Sequence, residues 1–331
     1  MASHAPADAP RETARMRRYL AGFVLGAVLT VLSLVGALVG LRAADRLPPP
    51  QIANSLCIDE KLNGMRAPPP QEPNLLVVGS SVAWRHFNSP AAIAADPAIR
   101  PYNAGFCGAQ ISQSARVTTW LTQRLPSVRH IVLIASPFDF EACGFGEVSR
   151  FDTGEADRFV FGHASPAWFY ARYFDPLTLA SNARGIREDR ASAASTSTLV
   201  QNRWGDGPAE PPVSRGLHYG DVRKLDTACF ASLRGMARAL ERRNIAFDVV
   251  LMPMQSEWSS RYGEPTLRTL EHGARSALAG TRGRLHVSLI RLPSTAYFDA
   301  MHLRWSSTGP FTRALLRETG ASSRLHLASA S

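Results

Sequence analysis

Lysine is nearly absent from this chain: of 37 basic side chains only Lys61 and Lys224 are lysines, and the rest are arginines. An arginine bias this broad, with abundant alanine, follows base composition, so the net charge of +10 carries little functional weight alone. No basic run with interleaved aromatics occurs in the main body, which argues against a nucleic-acid partner. The positive excess still favours anionic lipid or an anionic polymer. Cysteine is scarce, with four residues and no CxxC pair, so no metal site is expected. There is no GxGxxG opening a helix and no GxxxxGK[ST] loop, so nothing points to a nucleotide, a flavin or any other cofactor. Charged residues are also few, 19% against 45% hydrophobic, which suits a packed globular domain rather than general disorder.

What the chain does have is a 23-residue stretch without charge, Tyr19 to Leu41. At about 1.5 Å rise per residue it can cross a hydrocarbon core of roughly 30 Å. Arg11, Arg15, Arg17 and Arg18 precede it, and Arg42 and Arg46 follow. The heavier positive flank stays in the cytoplasm, so the bulk of the chain is expected outside the cytoplasmic (inner) membrane, in the periplasm or its equivalent. A cleaved signal peptide is the rival reading. Its apolar region would be too long, and Arg42-Ala43-Ala44-Asp45 is a poor cleavage site, so a single-pass, uncleaved anchor is favoured. The expected organisation is a tail over 1–18, an anchor over 19–41, a proline-rich linker over 42–73, a large domain over 74–322 and a tail over 323–331. Pro48-Pro49-Pro50 and Pro68-Pro69-Pro70 read as stiff spacers that lift the domain off the bilayer.

Disulfides are permitted outside the membrane, and four cysteines allow three pairings. Cys107 with Cys143 is preferred, because both follow predicted strands and would lie on loops at one sheet edge. Cys57 with Cys229 is then left by elimination. Free buried thiols are the alternative.

Apolar runs predict strands at Asn74 to Gly79, His130 to Ser136, Ala246 to Pro253 and Leu285 to Leu292, with a weaker one near Arg100 to Asn103. Helical spacing fills Ala109 to Arg124, Lys224 to Arg243 and Pro265 to Leu278, and a last helix starts near Ser306 or Ser307. This alternation predicts an α/β three-layer sandwich around a mainly parallel five-stranded sheet. Residues from about 140 to 217, rich in aromatics and arginine, break the rhythm and read as an insertion that caps or borders a site. Its small, polar middle (ASAASTSTL) suggests a loop that can move.

Three signals carry chemistry. Gly79-Ser80-Ser81 follows the first strong strand, where open parallel sheets bind ligands and a helix start offers N–H groups to an oxyanion. Asn103 to Gly108 forms a glycine-bearing turn after the weaker strand. Asp299-Ala300-Met301-His302 follows the last strand, with a carboxylate three residues before a histidine that it can orient. Each alone is an ordinary turn; their order is more specific.

In that order the chain resembles the SGNH, or GDSL-type, hydrolase family. The resemblance implies Ser81 as nucleophile, His302 as general base then acid, Asp299 as its orienting group, and the Ser81 and Gly108 backbone N–H groups as oxyanion hole. Two departures stand out. Ser80 replaces the usual Asp of the first block, and Phe138, in Ser136-Pro137-Phe138-Asp139, stands near the position of the Asn that the third block supplies. With its anchor helix the chain is most similar to a membrane-bound subset that acylates exported polymers such as alginate, cellulose and teichoic acids. This implies an O-acyltransferase or esterase, commonly acetyl-specific, acting on a glycan or other hydroxyl-bearing acceptor, with a multi-pass acyltransferase as donor partner. An inactive scaffold of an envelope polysaccharide complex is the second reading, and a lipid-directed esterase the third. An apolar groove beside Ser81 would favour lipid; a polar, aromatic-lined cleft would favour glycan. Trp84, Arg85, His86 and Asp139 are candidate substrate contacts, each with a packing or turn-capping alternative. His163, Trp168 and Tyr170 are candidates for sugar stacking, with core packing the plainer reading of the aromatics.

Overall fold

The computed structural model describes residues 9–53, 55–144, 151–162, 164–191, 199, 201–287 and 290–329. Five strands, β1 (Leu75–Gly79), β2 (Pro101–Gly105), β3 (His130–Ala135), β4 (Ala246–Leu251) and β5 (Arg284–Val287), form one parallel sheet in the order β2-β1-β3-β4-β5. The helices are α1 (Ala9–Ala43), α2 (Leu56–Gly64), α3 (Ser81–His86), α4 (Ser89–Ala95), α5 (Ile111–Arg124), α6 (Thr153–Val160), α7 (Pro166–Arg172), α8 (Pro176–Ala191), α9 (Thr227–Arg242), α10 (Ser256–Trp258), α11 (Glu264–Leu278), α12 (Trp305–Thr319) and α13 (Ala321–Ser329).

Successive residues of a strand face opposite sides of the sheet, and the core divides accordingly. Leu76, Val78, Ile131, Leu133 and Val249 pack with α5, α9 and α11 on one side. Leu75, Val77, Val132, Ile134 and Val250 pack with α3, α12 and α13 on the other. β1 and β3 are buried along their whole length, which explains their unbroken apolar runs. The fold is therefore α/β with helices on both faces of a five-stranded parallel sheet. After β1 the chain crosses one way to β2 and then returns past β1 to β3. In such a sheet the crevice for a ligand opens where the winding reverses, at the carboxyl end of β1.

Three expectations are corrected. The disulfides join Cys57 to Cys107 and Cys143 to Cys229, with Cα separations of 6.2 Å and 5.0 Å. β2 is the sheet edge whereas β3 is central, with β1 between them, so Cys107 and Cys143 do not share an edge. Instead α2 reaches the loop after β2, and the start of α9 meets the loop after β3, where the Asp226 carboxylate accepts from Cys143 N at 2.8 Å. The first proline run is not a free spacer: Pro48, Pro49, Pro50 and Ile52 are buried, and α2 sinks Ile58, Lys61 and Leu62 into the core, whereas Pro68 and Pro70 of the second run are exposed. The terminal segment is not a loose tail either, since α13 buries Leu325.

The insertion packs through Phe151, Phe159 and Phe169 into the first core cluster. It then runs back across β2, where Asn103 N donates to Trp204 O and Gly207 N to Trp84 O, both at 2.8 Å. Most of its small, polar middle lies outside the described residues. At the other end of the chain, one helix, Thr13–Ala43, is long and apolar enough to cross a membrane, with a mean hydropathy of 2.5. A span and a signal sequence both have that length and composition.

Candidate active site

β1 ends at Gly79, whose φ of +139° belongs to glycine. A Cβ there would also stand 2.2 Å from the Ile134 carbonyl oxygen, so no other residue lets the strand turn so tightly against β3. Ser80 follows and caps α3, its Oγ accepting from Val82 N. Ser81 is thereby the first residue of α3, at the mouth of the crevice.

Its partner comes from the other end of the chain. Residues 297–303 fold back on themselves: Tyr297 and Leu303 form an antiparallel bridge, and Phe298 N donates to His302 O at 2.9 Å. Inside this turn Asp299 Oδ1 accepts from the backbone N–H groups of Met301 and His302, at 3.0 Å and 2.7 Å. Asp299 Oδ2 lies 2.8 Å from His302 Nδ1. A carboxylate opposite Nδ1 keeps the ring proton on that nitrogen. Nε2 is then the acceptor, and Ser81 Oγ lies 2.8 Å from it, across 221 residues of sequence. Ser81, His302 and Asp299 thus form one continuous hydrogen-bonded chain.

Electrostatics suit a base. Burial lowers the His302 pKa, as do the charges of Arg85 and Arg215, while Asp299 pulls it upward; the net shift is downward, so the imidazole is neutral at pH 7. Burial raises the Asp299 pKa, but its bonds to the His302 ring and to two backbone N–H groups outweigh this and hold the carboxyl below its usual range.

A cleft of about 430 Å³ opens over Ser81 and His302. Gly108, with φ +62°, and Arg85, Asp139 and Tyr219 line it. Gln110 joins two of its loops: Nε2 donates to Phe138 O, and Oε1 accepts from Glu141 N and Ala142 N, each at 3.2 Å. Phe298 stacks on the His302 ring at 5.5 Å and 9° between planes, and Tyr219 stands 5.8 Å from it. A larger hollow of about 820 Å³ between α5 and α9 holds none of these groups. Among the described residues no group of three or more His, Cys, Asp or Glu is arranged to hold a metal.

Of the candidate substrate contacts, Arg85 and Asp139 line the cleft and two others do not. Trp84 is buried against Gly207, whose Cβ would collide with its ring. His86 is buried and its Nε2 accepts from Leu303 N at 3.0 Å, pinning the turn that carries His302. Trp168 is exposed, and the Tyr170 hydroxyl donates to Pro48 O beside the groove along α1, so neither belongs to the cleft or the core. His163 lies outside the described residues. Sequence reasoning passed over Gln110, Arg215, Tyr219 and Phe298. Only Phe298, directly before Asp299, had a position that could have marked it.

Asp139 follows Phe138 in the short turn after β3. Its carboxyl accepts from Ser136 N at 2.8 Å. Burial raises its pKa to about 7 against bonds from Ser136 and Ser80 that lower it. Phe138 itself packs on Tyr219 and Trp258, each at 5.7 Å.

No family model matches the chain, and no characterised protein matches it in sequence. Among solved structures, it is similar to a protein from Streptococcus pneumonia provisionally described as a platelet activating factor. That match covers 88% of this chain and 99% of the other at 12% identity, with a TM-score of 0.43.

Proposed function

We propose that the chain is a membrane-anchored, serine-dependent O-acyltransferase or esterase of the SGNH (GDSL-type) kind, acting outside the cytoplasmic membrane on an exported glycan. The observation that carries this reading is the chain Ser81 Oγ–His302 Nε2, His302 Nδ1–Asp299 Oδ2, with both contacts at 2.8 Å. As His302 Nε2 takes the Ser81 proton, Oγ attacks the acyl carbonyl carbon, and Asp299 stabilises the imidazolium. The oxyanion meets the N–H groups of Ser81 and Gly108. The bond to the leaving alcohol breaks, and its oxygen takes the proton from His302, leaving acyl-Ser81. An acceptor hydroxyl then gives its proton to His302 and attacks the acyl carbon; the bond to Ser81 Oγ breaks, and that oxygen takes the proton back from His302. The acceptor is a sugar hydroxyl in transfer and water in hydrolysis.

The cleft favours glycan over lipid because Arg85 and Asp139 lie in it beside the aromatic rings of Tyr219 and Phe298. Two disulfides suit an oxidising compartment. A donor delivered by a multi-pass membrane acyltransferase fits an anchored acceptor enzyme. The second reading, an inactive scaffold, rests on Phe138. It offers no amide at the third block, and loss of one oxyanion donor costs about 3 to 4 kcal/mol.

Treating the full chain in detergent with a fluorophosphonate, followed by mass spectrometry, separates these readings. An adduct on Ser81 that vanishes in His302→Ala establishes the activated nucleophile. Folded protein that never labels leaves the scaffold.

A further inference from the structure

The exposed large hydrophobics outside α1 are not scattered. Among the described residues they are Trp168 (55% exposed), Phe174 (37%), Leu177 (82%), Val213, Tyr219 and Val287. The first three fall within ten residues of one another, Trp168 on α7, Phe174 between α7 and α8, and Leu177 at the start of α8. This stretch does not stand alone in space. A groove of about 610 Å³ separates it from α1, walled by Val31, Leu34, Val35 and Leu38 on one side and by Ala167, Tyr170 and Phe174 on the other. Leu34, Leu38 and Leu41 are the only described residues of α1 that are partly covered, and at spacings of four and three they share one helix face. At about 1.5 Å per residue, Leu34 to Leu41 spans roughly the last 10 Å of the apolar run.

We propose that α7 and the start of α8 form an interfacial foot that sits in the outer leaflet of the bilayer beside the anchor, with lipid acyl chains filling the groove between them. This rests on the reading of α1 as a membrane span. If Val31 to Val39 lie in hydrocarbon, Ala167, Ala171 and Phe174 across the groove lie at the same depth, and the exposed Trp168 and Leu177 beside them in sequence are the apolar groups that acyl chains would solvate. Burying such side chains stabilises the docked state by hydrophobic transfer. The polar groups agree with that depth. Arg42 closes the groove at its upper end, and the Tyr170 hydroxyl is satisfied by Pro48 O, an arrangement of arginine and aromatic groups that suits the headgroup region. The foot fixes the domain against the membrane, so the cleft has one height and orientation rather than swinging on a tether.

Trp168 provides the test, because Trp84, Trp120 and Trp258 are buried and Trp204 and Trp305 are half-buried. The full chain is placed in phosphatidylcholine vesicles carrying bromine either near the glycerol end or near the methyl end of the acyl chain. Brominated lipid should quench part of the tryptophan emission, more strongly with the shallow bromines, and this component should be lost in Trp168→Phe. Leu177→Asp should weaken it. Protein that alkaline carbonate strips from the vesicles overturns the anchor and the foot together. Protein that stays embedded, but quenches equally in wild type and Trp168→Phe, overturns the foot alone. Quenching that disappears as the protein-to-lipid ratio rises assigns the face to a second copy of the chain instead.

Discussion

As the proposed base, His302 works only while neutral, and its surroundings keep it so to a lower pH than free imidazole. The labelling rate of Ser81 should therefore fall only below the ordinary histidine range. Arg85→Gln removes a charge that disfavours the imidazolium, so its acid limb should move to higher pH, which a pH profile of fluorophosphonate labelling reads directly. Asp299→Asn keeps the shape but not the charge, and labelling should slow by up to about 10⁴-fold, the scale of loss when an orienting carboxylate becomes an amide. Asp139 gives a further limb. Neutral, its carboxyl is a donor beside the cleft; ionised, it places negative charge near a developing oxyanion. The rate should fall as pH rises through about 7, and Asp139→Asn should abolish that fall. Ser81, Asp299 and His302 were legible because each sits in a short motif, Ser81 directly after β1 and Asp299 with His302 in a tight turn after the last strand. Tyr219 was not, because it reaches His302 from a loop whose position depends on how the whole insertion packs.

Across three strands, one buried carboxylate organises the far end of the sheet. Asp248 on β4 meets His130 Nε2 of β3 and His286 Nε2 of β5, both at 2.6 Å, and Arg284 through two bonds of 2.8 Å and 3.0 Å. Burial raises the Asp248 pKa, but these partners more than offset it and hold the carboxyl well below the carboxylate range. Its stabilising contribution is therefore fully present above the unfolded carboxyl pKa of about 3.9 and is lost as pH falls toward the folded value. Asp248→Ala strands a buried cluster and should cost about 3 to 5 kcal/mol in denaturant unfolding. The strands themselves were legible from their apolar runs. β2 was the weakest because it carries Asn103, a buried side chain bonded to Asp206 and to the carbonyls of Ala83 and Trp84. The linker was misread for a related reason: proline runs look extended whether or not a core covers them, and Lys61 reads as a surface residue. In the fold Lys61 is buried, donating to Asn103 O and Gly205 O, and burial lowers its pKa to about 7.

Disulfide connectivity belongs to the whole molecule, since it depends on strand order rather than on spacing along the chain. Replacing Cys143 and Cys229 together by alanine should cost about 2 to 4 kcal/mol, read from denaturant unfolding with midpoint and slope fitted for each protein. Replacing Cys57 and Cys107 together by serine should in addition slow Ser81 labelling, because Cys107 adjoins Gly108 and lines the cleft.

That first bond also has a mechanical meaning. On the proposal that α1 is held in a membrane, a pull on the domain enters at the segment just after that helix. Tension entering there reaches Cys57 and passes straight to Cys107, 50 residues onward. β1, Gly79 and Ser81 all lie inside the bypassed loop, off the covalent path of the load. Stretched in an optical trap, the oxidised protein should hide roughly 170 Å of contour length that appears only once the bond is reduced. On that proposal the covalent path of the pull runs around the proposed nucleophile rather than through it.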